Sequence, residues 1–198
     1  MRVSKEQAAE NRARILAETA RMIREAGIGG VGVDALTRAA GLTHGSLYSQ
    51  FGSRERLVAE ALAQALENSG DKTRKELAAG GSLATVVARY LSPAHRDAPG
   101  GGCALAAIGP EAARQGSAVR QAFTRGVRGF AARLSAVMPA RRGEPPEDAA
   151  LATVAALVGA LILARAVDDP ELSDRILAAT AKRLTAADDT AAGSPPSR

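Results

Sequence analysis

Apolar residues recur at helical spacing along most of the chain, and glycine or proline separates one run from the next. Ile15, Leu16, Thr19, Ala20, Met22 and Ile23 share a side of a helix over roughly 9–26, with Gly27 as its stop signal. Gly29, Gly30 and Gly32 make a loop. A short helix over about 33–40 ends at Gly41, and Thr43 is placed to cap a second short helix that reaches Phe51. After the Gly52-Ser53 break, Ser53 caps a longer helix from Arg54 to about Asn68, with Leu57, Val58, Ala61, Leu62 and Ala65 on one face. Further helices are predicted near 83–91, from about Cys103, and over roughly 117–138, with Ser92–Gly102 and Ala140–Pro146 as loops. Pro146, Glu147 and Asp148 open a helix to about Val167, proline in its first turn and acids at the positive dipole end. Asp169-Pro170-Glu171 repeats the device for a last helix to about Ala186, and the polar, Pro/Ser-rich residues 188–198 are expected to be disordered. No run reads as a strand, and the fold class is all-α.

Composition agrees. Aromatics are only 3 % of residues while apolar types reach 46 %, so the core must be filled by Ala, Leu, Val and Ile, and Ala and Leu favour helix. The net charge of +5 suits a polyanionic partner. It is unevenly spread, at +2 over residues 1–60, +7 over 61–142 and −4 over 143–198, so charge alone does not point to one end. Cys103 is the only cysteine, which excludes an intramolecular disulfide. The first sixteen residues hold no signal-peptide core. The uncharged run Ala149–Ala164 falls short of the roughly 20 residues that cross a bilayer, so a core helix and a cytoplasmic, membrane-free protein are expected.

The most informative stretch runs from Val33 to Phe51. Two short helices must cross steeply with almost no linker, and Gly41 can take the left-handed corner. Leu36, Ala40, Leu42, Leu47 and Phe51 are spaced to lock the pair together. The second helix then turns Thr43, His44, Gly45, Ser46, Tyr48, Ser49 and Gln50 outward, short hydrogen-bonding groups that suit base edges and phosphates. From Arg12-Ala13-Arg14-Ile15-Leu16 through Gly27 to the segment Leu47–Leu57, the chain resembles the DNA-binding domain of the TetR/AcrR family of bacterial transcriptional regulators. The likeness covers about sixty residues. It implies a helix-turn-helix domain over 9–69, a C-terminal ligand-binding and dimerisation bundle over 70–187, and a repressor released from its operator by a small molecule. It also implies that Tyr48 meets a phosphate, that Arg54 meets the DNA backbone, that Thr43, Ser46, Ser49 and Gln50 face the groove, and that His44 reaches toward a base. Two positions depart from the family pattern. Gly32 leaves only a backbone N–H where Ser or Thr is common, and Thr37 stands where Ala is usual, which is expected to loosen packing there.

The C-terminal part carries less information. The helix over 148–167 is apolar nearly all round, so it must be covered on more than one side, and a second copy of the chain is a natural cover. Cys103 follows three glycines and precedes a helical run; a helix N-terminus favours the thiolate, making Cys103 a candidate for effector or redox sensing. A Cys103 nucleophile served by His95, with His95-Arg96-Asp97 upstream, would put all the candidate groups in one short loop with no recognisable elbow, which argues against an enzyme. No metal constellation, phosphate loop or cofactor motif appears. The expected partners are therefore a double-stranded DNA operator, a small-molecule effector and a second subunit. The rival reading is a helical ligand-binding protein that no longer binds DNA, and the intact Thr43–Arg54 segment argues against it.

Overall fold

The computed structural model describes residues 5–39, 43–139 and 143–186. Among them are ten α-helices and no strand: α1 (Lys5–Ala26), α2 (Val33–Ala39), α3 (His44–Phe51), α4 (Arg54–Ala78), α5 (Leu83–Tyr90), α6 (Pro93–Asp97), α7 (Ala104–Ala112), α8 (Ser117–Ser135), α9 (Pro146–Ala166) and α10 (Pro170–Thr185). The corner at 40–42, the 140–142 loop residues and the tail from 187 onward lie outside the described residues, and with them the expectations for Gly41 and for tail disorder.

The breaks fall where the local chemistry puts them. Gly27 and Gly52 adopt φ of 75° and 76°, a left-handed conformation that costs glycine no Cβ clash. Ser53 caps α4 by accepting the Arg56 N–H at 3.1 Å. Ser82 and Thr85 form a reciprocal capping box on α5, and Asp169 caps α10 through the Leu172 N–H at 3.0 Å. Two expectations need correcting. Helix α4 does not end at Asn68 but continues through Gly70 and Thr73 to Ala78, because both residues are buried and packing outweighs their poor helix propensity. The Ser92–Gly102 loop contains a short helix, α6, capped by Ser92, and a 3₁₀ turn at Pro99–Gly101.

Two hydrophobic cores share helices. The first joins Ile15, Leu36, Leu47, Phe51 and Leu62 of α1–α4 to Ile108 of α7 and Val119 of α8. The second joins α5, α9 and α10 to Leu105 of α7 and Phe130 and Leu134 of α8. Helix α7 therefore contributes to both cores. Among the described residues α9 is the one helix long and apolar enough to cross a membrane by length and composition, and its core-facing side is packed inside the bundle.

Candidate functional site

Helix α3 is short and sits on two anchors. It buries Leu47 fully and Phe51 nearly so, and both belong to the first core. Its first turn is closed by the Leu47 N–H donating to the Thr43 carbonyl at 3.1 Å, and its last by the Gly52 N–H donating to Tyr48 at 2.8 Å. Thr43, Gly45, Tyr48, Ser49 and Gln50 are all exposed, Tyr48 at 48 % despite its size. The side chains of His44 and Ser46 lie outside the described residues, although both positions belong to the helix. Gly32 is exposed at the start of α2, where its carbonyl accepts the Leu36 N–H at 3.1 Å, and a Cβ there would meet nothing. Thr37 is buried with its hydroxyl donating to the Asp34 carbonyl at 3.1 Å, so the hydroxyl at this position is satisfied.

Arg54 is turned inward. Its Nη2 donates to the Ile28 and Val31 carbonyls at 2.5 and 2.8 Å, tying the start of α4 to the loop before α2. A guanidinium has five N–H groups, so this tie leaves others for a second partner. Sequence reasoning passed over Arg12. It pairs with Glu60, donates to the Gln50 carbonyl at 3.2 Å, and lies 4.2 Å above the Phe51 ring, so one side chain fastens α1 to the end of α3 and to α4. The signal was present as the first arginine of the N-terminal motif, but its partners are 38 and 48 residues away.

A cavity of about 100 Å³ opens between α4, α5, α7 and α8. Tyr90, Phe130 and Leu105 wall one part of it, and Lys72, Arg89 and Arg133 another. Cys103 is half-buried in this wall and is the N-cap residue of α7, as expected. The structure also brings His95 to Cys103. The Cys103 backbone N–H donates to His95 Nε2 at 3.0 Å, and Nδ1 lies 2.6 Å from the Tyr90 carbonyl, an arrangement that requires the neutral ring with its proton on Nδ1. Burial lowers the histidine pKa, opposed by the Tyr90 bond and reinforced by Arg165, Arg89 and Lys72. With both nitrogens engaged, the ring holds the loop and has none left to act as a base for the thiol. Arg165 of α9 completes the clamp by donating to the His95 and Arg96 carbonyls at 2.8 and 2.9 Å.

Residues 15–61, which include α2, α3 and the first turns of α4, match the family model described as bacterial regulatory proteins, tetR family. The chain carries a tetR-family regulatory domain. No curated protein matches it in sequence. Solved structures resemble it over nearly their whole length. The reduced form of E. coli NemR has 21 % identity, with 89 % of this chain and 95 % of that one covered at a TM-score of 0.76. A TetR-family transcriptional regulator from Cytophaga hutchinsonii has 21 % identity, 93 % and 96 % coverage and a TM-score of 0.74. One from Agrobacterium tumefaciens has 18 %, 90 % and 99 %, and also 0.74. At these identities the likeness is one of fold, and it extends the tetR-type architecture from the matched domain to the C-terminal helices. The matched domain and the shared fold support a DNA-binding transcriptional regulator.

Proposed function

We propose that this tetR-family protein is a cytoplasmic, non-enzymatic repressor that binds a double-stranded DNA operator as a homodimer and leaves it when a small molecule fills the cavity. In this reading residues 9–69 read DNA and residues 70–187 bind effector and pair subunits. The observation that carries this reading is the exposed polar face of α3 over a buried Leu47–Phe51 anchor. Thr43, His44, Gly45, Ser46, Ser49 and Gln50 serve the groove; the Tyr48 hydroxyl, the Gly32 N–H and the free N–H groups of Arg54 serve phosphates. In a dimer the two α3 helices must reach major-groove faces about 34–36 Å apart. An effector that prefers another spacing lowers DNA affinity, and linkage makes DNA lower effector affinity equally.

The test is fluorescence anisotropy on DNA from immediately upstream of the protein's own reading frame, with unrelated DNA of equal length as control. The reading expects binding about a thousand-fold tighter to the upstream fragment. Equal affinity for both fragments would sink it in favour of a helical ligand-binding protein.

The Cys103 thiol supports a second mode of release. Because it lines the cavity, an electrophile small enough to enter would reach it, and alkylation would fill the space an ordinary effector occupies. Cys103→Ser should then keep operator binding but lose its release by a mild alkylating agent. Unchanged release in the serine variant would reduce Cys103 to packing.

A further inference from the structure

The cavity wall contains two buried donors that the protein itself does not fully satisfy. Tyr90 is 4 % exposed, and its hydroxyl lies beside the Cys103 thiol, a weak partner, with no hydrogen bond of ordinary geometry; the Nε of Arg133 is likewise buried and unpartnered. Buried polar groups are satisfied in the great majority of cases, so two such donors on one cavity point to an occupant. Lys72 and Arg89 add two further cations to the lining, and no Asp or Glu contributes to it. Arg89 is partly neutralised by Glu76 at 2.8 Å. The carboxylates that attract Arg133, Glu67 and Asp71, are both already paired with Arg74. Helix α4 also makes room for this guanidinium, since a Cβ on buried Gly70 would stand 2.8 Å from Arg133 Nη1. Glycine is a poor helix former beside alanine, and here the missing methyl is the space the arginine fills. The lining also includes Leu66, Leu105 and Phe130, the last with its ring 5.8 Å from that of Tyr90.

We infer that the cavity takes a small carboxylate with an apolar body of about benzene size, its anion held by Arg133 and Tyr90 and its hydrocarbon part set against Leu66, Leu105 and Phe130. This rests on the reading that the cavity is the effector site. Size limits the ligand: a cavity of about 150 Å³ accommodates benzene and this one is near 100 Å³, so a benzene ring is the upper bound and part of the ligand must lie in the cavity mouth. Charge selects its head group. An amine would face three cations with no counter-charge in the wall, and a neutral amide would leave the guanidinium uncompensated.

The experiment titrates the full-length protein with benzoate and with its neutral isostere benzamide, following heat of binding and, separately, release of operator DNA. Benzoate should bind once per chain and at least about ten-fold more tightly than benzamide. Arg133→Gln should weaken benzoate by about ten-fold and Tyr90→Phe by several-fold. Tyr90→Phe should not lower the melting temperature of the unliganded protein, since it removes an incompletely satisfied buried hydroxyl. Equal affinity for the two probes, or benzoate binding indifferent to Arg133→Gln, would overturn the carboxylate assignment, while operator release by either probe would keep the cavity as effector site. Tight, variant-sensitive benzoate binding without operator release would uphold the ligand class and remove the effector role. Binding of neither probe would overturn both.

Discussion

Tyr48 and Arg54 flank the exposed end of α3, and the structure separates what each contributes. The Tyr48 ring is half in solvent, so Tyr48→Phe deletes a hydroxyl without disturbing packing. Operator affinity should fall about ten-fold through one lost phosphate hydrogen bond, while the salt slope stays that of the parent, because a neutral donor displaces no counterion. Arg54→Ala should instead lose stability and DNA binding together, since the Ile28 and Val31 carbonyls lose their donor. Melting curves beside salt titrations of both variants distinguish these outcomes, and a Tyr48→Phe protein with parental affinity would remove Tyr48 from the interface.

His95 makes a prediction in pH. Folding holds its ring neutral, so the unfolded chain takes up a proton near pH 6.5 that the folded chain resists. The histidine's contribution to stability is intact above that pH and is lost as pH falls through it. The melting temperature should decline between about pH 7 and pH 5.5, and His95→Gln should flatten the decline. An identical pH profile in the variant would contradict the assignment of the neutral ring.

At the scale of elements, α7 is the piece that sequence reasoning undervalued. It starts at Cys103 on the cavity, and Glu111 near its end accepts the Gly29 N–H at 2.9 Å in the loop that leads to Gly32 and α2. Arg24 of α1 reinforces the junction by donating to the Gly100 carbonyl at 2.6 Å. One helix thus touches both the cavity and the loop that leads into the helix-turn-helix. Glu111→Ala should lower operator affinity several-fold with helix content unchanged, as the loop loses its anchor. Parental affinity in that variant would show that the contact does not position the DNA-reading helices.

These helices also show what a sequence conveys. Caps, breaks and apolar spacing are local, so α1–α3, the Ser53, Ser82 and Asp169 starts, and the outward face of α3 could all be read before any coordinates. The continuation of α4 past Asn68, the Arg12 clamp, the turned-in Arg54, and the meeting of Tyr90, His95 and Cys103 depend on contacts between distant segments, which periodicity does not encode.

For the whole molecule, the decisive surface is the outer side of α9 and α10. Leu161 is completely buried within its own chain, so a charge there would break the fold and say nothing about assembly. Leu151, Leu163 and Leu172 are exposed at 45 %, 56 % and 40 %, with the exposed Ala152 and Ala155 between the first two in sequence. So much apolar surface on neighbouring helices is what an obligate partner covers. Leu163→Glu should therefore yield a folded monomer with parental helix content, and sedimentation would read it directly. A parent that is already monomeric at micromolar concentration would refute the pairing.

Hydroxyl-radical footprinting of the full-length protein on its own upstream DNA tests the central claim most directly. Two α3 helices carried by a dimer should protect two patches on one face of the duplex, centred about one helical turn, 10–10.5 base pairs, or a small multiple of it apart. The patches should fade together in Leu163→Glu, which cannot pair, and in Gln50→Ala, which alters the groove face. A single protected patch, or uniform protection with no preferred position, would contradict the account.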